Sequence, residues 1–241
     1  MIVNYTEPGW EIITQRAHGL LAAQTAMEWR IKDRPQRWAE TVAAIAEHDD
    51  AQTELEESDL LTAKGGPVNF RMKTFEAEHC RRLQDFSLSK SRYIALLCSM
   101  HMEFLHHKEA ETNPEARQFL KEQAKLQNAW RRELKLSKKE TNRVYGLMEW
   151  CDAFSLLLCQ QEIQPENRNI EVSRGPDKKR YELLEKKNGS LSVKPWPFES
   201  KSFNLRVEYR VIAKLQFKDC DEFKDEFRKA PVKEKVWELE K

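Results

Sequence analysis

"AIAEHDDAQTE", residues 44–54, ends an apolar helical stripe on an ionisable pair. Just upstream, Trp38, Val42 and Ile45 recur at spacings of four and three, the period of one helix face. The next position on that face is Asp49, with His48 beside it. A helix that runs out into solvent would explain the change of character. A metal site would also explain it, because a cation compensates the burial of carboxylate and imidazole groups. The rest of the chain decides between the two.

The same conflict recurs on four further predicted helices. A helix over residues 15–31, capped by Thr14, places His18 on a face with Leu21, Ala22, Thr25 and Trp29. His79 falls between Phe75, Leu83 and Phe86, and His101 lies beside Leu97 and Phe104. Asp152 sits among Met148, Cys151 and Ser155. One buried histidine is ordinarily satisfied by hydrogen bonds. Several buried ionisable groups need mutual compensation. A mixed nitrogen and oxygen set suits a divalent transition metal (Fe, Mn, Ni, Co or Zn), one or two per chain, better than Ca.

Composition narrows the classes. The 241 residues carry 41 Lys and Arg against 40 Asp and Glu, so no global charge draws the chain to nucleic acid or an anionic membrane. The five cysteines form no CxxC, and Cys80, Cys98, Cys151 and Cys159 lie in apolar helical patterns, which fits a reducing, cytoplasmic compartment. Neither an export signal nor a membrane span is legible. Without a glycine-rich phosphate loop or dinucleotide fingerprint, a nucleotide cofactor has no support.

The expected architecture is α+β and mainly α, one compact domain over 1–241. A helical body with an N-terminal hairpin fills 1–164, and a β-rich part fills 165–241. "MIVNY" and "WEIIT" flank a Glu7-Pro8-Gly9 turn, and Ser137 with Glu140 opens the last long helix as a capping box. Asn188-Gly189 predicts a type I′ hairpin inside "RYELLEKKNGSLSVKPW", followed by alternating "FNLRVEYRV", a short helix at 219–229 and "KVWEL". These strands predict a small antiparallel sheet that the N-terminal hairpin can join. "KPWPF" (194–198) reads as a packing corner leading into it.

The order His18, His48-Asp49, His79, His101, Asp152 resembles the HD-domain superfamily of helical metal-dependent phosphohydrolases, with their H…HD…D pattern. The resemblance implies that His18, His48, Asp49 and Asp152 hold one metal. It further implies that Asp49 bridges to a second metal on His79 and His101; without His79 a mononuclear site remains. Over nearly the whole chain, "IITQRAH", "AIAEHDD", "PVNF", "LLCSMH", "YGLMEWCDAFSLLLC" and "KPWPF" resemble the bacterial family catalogued as domain of unknown function 3891. That family name implies no activity.

The leading expectation is an HD-like metal-dependent phosphohydrolase acting on a small, phosphorylated molecule, with no nucleic-acid or membrane partner. A di-iron oxygenase of the HD-like type keeps the metals and changes the chemistry. A non-enzymatic interaction or structural protein would retain the same groups as a buried hydrogen-bonded network. Among nearby candidates, Asp50 lies off the stripe, and His107 is better placed than His106 to join His101. Ser155 and Cys159 read as core rather than nucleophiles, and Arg16, Lys64, Arg71, Arg81 and Arg92 read as solvated charges.

Overall fold

A computed structural model describes residues 1–51, 54–166 and 168–241; Gln52 and Thr53 of the opening stretch lie outside the described residues. Seven helices occur among them: α1 (Gln15–Met27), α2 (Trp38–Glu47), α3 (Ala77–Lys90), α4 (Arg92–His106), α5 (Pro114–Glu133), α6 (Lys138–Cys159) and α7 (Cys220–Lys229). Local chemistry sets their starts. Thr14, Ser91, Asn113, Ser137 and Asp219 each accept a hydrogen bond from a first-turn backbone N–H, and Pro114 opens α5 where its missing N–H costs nothing.

Seven strands form one sheet: β1 (Ile2–Thr6), β2 (Gly9–Ile13), β3 (Ile170–Arg174), β4 (Arg180–Glu185), β5 (Leu191–Lys194), β6 (Ser202–Ile212) and β7 (Val232–Glu240). Their order is β1-β2-β6-β7-β5-β4-β3. The N-terminal hairpin does join the sheet, through Trp10↔Ile212 and Ile12↔Arg210. Gly9, at φ 134°, permits that junction, since a Cβ there would stand 2.1 Å from the Ile212 carbonyl oxygen.

Two expectations need correction. The sheet is neither small nor purely antiparallel, because β7 enters between β6 and β5 and pairs parallel with β5 at Leu191↔Leu239. The β4–β5 connection forms, but not as a type I′ turn. Only Gly189 has positive φ (84°), and its N–H donates to the Lys186 carbonyl, so a wider turn ends on a left-handed glycine.

One apolar core spans both parts of the chain, from Ile2 and Ile13 through the helices to Leu183, Val193, Leu205 and Leu239. Its centre is aromatic. Trp29 and Trp150 meet at 5.1 Å, Trp150 stacks on Phe154 at 5.1 Å, and Phe198 closes on Trp29 and Phe203 at 6.1 and 4.8 Å. "KPWPF" is therefore a packing corner: Phe198 is buried, and the Pro197 carbonyl accepts from Arg30 N–H. Phe223 and Phe227 of α7 belong to a separate cluster with Ile12 and Ile212.

Gly19 fixes the spacing of α1 and α2. A Cβ there would lie 2.4 Å from the Ala46 carbonyl oxygen and 3.9 Å from Cε1 of His48. Glycine to alanine in an ordinary helix interior stabilises by about 1 kcal/mol. Here the sign reverses: Gly19→Ala is expected to destabilise by about 1–3 kcal/mol in denaturant unfolding, because backbone must move. Unchanged or increased stability would mean that the helices do not depend on this contact.

Candidate metal centre

His18, on the inner face of α1, is fully buried with Leu21, Ala22 and Thr25. On α2 the buried stripe is Thr41, Ala44 and Ile45, while Trp38 and Val42 are half-buried. The helix ends at Glu47, and His48 caps it with helical backbone angles. His48 thereby extends the 41–44/45 stripe into the core, and Asp49 turns from it toward a cleft. Asp50 is held apart by Arg16, whose Nη2 donates to the Asp50 carbonyl at 2.7 Å. His101 on α4 and Asp152 on α6 complete the group, both buried.

The donor atoms converge. Nε2 of His18 and Nε2 of His48 stand 3.1 Å apart. Oδ1 of Asp152 is 3.2 Å from each, and Oδ2 of Asp49 is 3.6 Å from each. Ligands about 2.0–2.2 Å from a common cation stand about 3–3.5 Å from one another, so each of these edges has about the length of two neighbouring ligands on one cation. His101 approaches from one side, with Nε2 3.9 Å from Oδ2 of Asp152 and its ring edge-on to His48 at 4.9 Å. Among the described residues, the metal-competent groups are His18–His48–Asp49 and His48–His101–Asp152.

Hydrogen bonds fix the tautomers. Nδ1 of His48 is 2.7 Å from the Ile45 carbonyl, which only accepts, so Nδ1 carries a proton. Ser155 Oγ lies 2.8 Å from the Asp152 carbonyl and 2.7 Å from Nδ1 of His18; with its hydroxyl proton given to the carbonyl, it accepts from Nδ1. Both neutral rings thus aim Nε2 lone pairs at each other across 3.1 Å. A cation between them makes that arrangement favourable; in its place, protons on Nε2 can be donated to Oδ1 of Asp152, 3.2 Å from each ring. Such orienting bonds on the remote ring nitrogen are what metal-binding histidines require.

The electrostatics agree. Burial opposes charge on His48, yet the Asp49 carboxylate and the bond to Asp152 outweigh it and raise its pKa to about 9. Burial likewise works against charge on His18, but hydrogen bonds to Asp152 and Asp49 raise it. Burial would raise Asp49, whereas His48 and His18 bring it down to about 2, and the imidazoles hold Asp152 well below the ordinary carboxylate range. Burial lowers His101 to about 4, keeping it neutral, and Nδ1 faces the Tyr145 hydroxyl at 3.3 Å. Two carboxylates and three imidazoles thus form a largely buried site at the cleft, and the donor set fits a divalent transition ion.

The remaining expected residues lie elsewhere. His79 is one position off the buried stripe of α3 (Ala77, Cys80, Leu83, Ser87) and pairs with Glu76 at 3.2 Å and Glu57 at 3.8 Å. It lines the cleft wall and is not brought to His101. His106 rather than His107 faces the cleft, since His107 Nδ1 turns back to the Phe104 carbonyl. Arg71 pairs with Glu162, and Arg92 with Glu133. Ser155 and Cys159 are fully buried. The cleft, about 310 Å³, is lined by His48, Asp49, His101 and Asp152 on one side and by Arg71, Lys73, Glu76, His79, His106 and Phe70 around it.

Gln15, Tyr145 and the supporting role of Ser155 escaped the sequence reading. Gln15 lies three residues before His18 on the same face of α1, and Ser155 three after Asp152 on α6. Extending each stripe by one turn finds both. Tyr145 lies two turns before Asp152 on the same face of α6, and its contact with His101 follows only from the packing of α6 on α4.

Fold and site together define a mixed helix-and-sheet protein with a buried histidine–carboxylate cluster above a cleft. The family model described as "Protein of unknown function (DUF3891)" matches residues 1–214, and the chain belongs to that family. Every residue of the cluster falls within the matched segment. No curated protein and no solved structure matches the chain. No helix among the described residues is long and apolar enough to cross a membrane.

Proposed function

We propose that the protein is a metal-dependent hydrolase of small phosphate esters, with an HD-like H…HD…D ligand set of His18, His48, Asp49 and Asp152. The observation that carries this reading is the 3.1 Å opposition of two imidazole Nε2 atoms whose other nitrogens are both committed as donors. When bound, a divalent ion supplies Lewis-acid polarisation of a phosphoryl oxygen and acidifies water at neutral pH. The chain's own residues do the rest. Asp49 and Asp152 balance the cation's charge, and Ile45 and Ser155 hold the imidazole orientations. Lys73 and Arg71 line the cleft, each paired with a carboxylate (Glu57 and Glu162) that an anionic substrate would have to displace. His101, next to Asp152 and grouped with it and His48, would offer a further ligand nitrogen.

Phosphate release from phosphomonoesters tests this reading. Protein stripped by chelator and reloaded with Mn, Fe, Co, Ni or Zn is expected to release phosphate with at least one of them, and the stripped protein is not. Absence of release with every metal would refute the hydrolase reading. The competing reading is a metal-free network held by a shared proton, favoured by the closed contacts of Asp152 with His18 and His48. It predicts no metal uptake in the same reloading.

A further inference from the structure

One residue that lines the cleft carries a buried acceptor with no donor among the described residues. Gln15 is 2% exposed and held at two points: its backbone N–H donates to Oε1 of Glu54 at 2.7 Å, and its Nε2 donates to Oδ2 of Asp49 at 2.8 Å. The second bond fixes the amide orientation, because an ionised carboxylate only accepts. Oε1 must then face away from Asp49, and there it is buried without a hydrogen-bond partner. Gln15 lines the same cleft as His48, Asp49, His101 and Asp152.

The nearby side chains of that wall are already engaged: Lys73 with Glu57, Arg71 with Glu162, and the His79 and His106 rings with Glu76 and Glu109. An acceptor held this rigidly, next to a ligand-bearing carboxylate, has the form of a recognition group. We propose that Gln15 selects the substrate, its Oε1 accepting a hydrogen bond from a hydroxyl or amino group carried beside the metal-directed anionic group. The substrate class is then a small hydroxylated or amino-bearing phosphate ester and not a plain alkyl phosphate. The phosphate half of this statement rests on the proposed hydrolase function; the role of Gln15 does not. Sites built to bond a substrate O–H or N–H discriminate strongly against analogues lacking it, because a buried group is then left unpaired.

The test is calorimetric binding to metal-loaded protein with matched ligands: 2-hydroxyethyl phosphate and 2-aminoethyl phosphate against ethyl phosphate. Wild type is expected to bind at least one donor-bearing ester about tenfold or more tightly than ethyl phosphate. Gln15→Met, of similar length and without the acceptor, is expected to bind all three alike. The ratio is taken within each protein, so altered metal loading through Asp49 cancels. Equal affinities in wild type would overturn the proposal whether or not the variant folds, and so would a preference that persists in Gln15→Met. If no phosphate ester binds, hydroxyacetate against acetate provides the same comparison on a carboxylate. A preference there that Gln15→Met loses keeps the role of Gln15 and rejects the phosphate reading, whereas no preference in either set overturns the role itself.

Discussion

Asp152→Ala is expected to weaken metal binding by more than about 100-fold, beyond the 10- to 100-fold typical of losing an outer supporting contact. Asp152 is the carboxylate that faces all three imidazoles of the cluster. Its Oδ1 lies 3.2 Å from both imidazole Nε2 atoms, and its Oδ2 faces His101. Its removal takes away one of two compensating negative charges and leaves His18 and His48 facing each other with only Asp49 nearby. Titration of chelator-stripped protein with Co or Mn, with circular dichroism to verify the fold, measures the effect. Unchanged affinity in a folded variant would place the metal elsewhere.

The second large effect is a metal-dependent response to pH. In metal-free protein a proton takes the cation's place, and His48 titrates at about 9 against 6.5 when unfolded. A group raised in this way contributes stability fully below its unfolded pKa and loses it as pH rises through the folded one. The contribution of His48 is therefore complete below about pH 6.5 and lost by pH 9. Asp49 has the opposite sense: lowered from 3.8 to about 2, it contributes above 3.8 and is lost as pH falls through 2.

Metal displaces the His48 proton, so apparent affinity is expected to climb about tenfold per pH unit, per proton displaced, up to about pH 9. The melting temperature of stripped protein should fall toward pH 9 while that of metal-saturated protein holds. Glu149, pushed to about 7 by burial, adds a loss above its ordinary 4.5 to both forms. The difference between the two melting curves therefore isolates the cluster. Parallel curves across this range would contradict the account.

Much of this architecture can be read from periodicity and capping. Helix starts at Thr14, Ser91, Asn113 and Ser137 are local chemistry, so α1, α4, α5 and α6 are legible to within a few residues. The sheet order is not, because β7 pairs with β6 along its length and meets β5 in parallel through contacts that no local pattern encodes. Three cluster residues, His18, His101 and Asp152, sit on buried stripes and are visible for that reason, whereas His48 takes the buried position that the 38–42–45 spacing assigns to Asp49. His79 lies on α3 with an incomplete stripe; Phe86 is exposed and Cys80 takes the inward position. Gly19 reads as a weakness of α1 until the Ala46 carbonyl is seen against it. Tautomers, and with them the opposed lone pairs, follow only from three-dimensional partners.

Elemental analysis of tag-free protein, wild type beside folded His48→Ala and Asp49→Ala, tests the central claim most directly. The account predicts one equivalent of a divalent transition metal per wild-type chain, as isolated or after reconstitution, and its loss in both variants. Wild-type protein that takes up no metal under reconstitution, or variants that retain it in full, would contradict the assignment of this cluster as a metal centre.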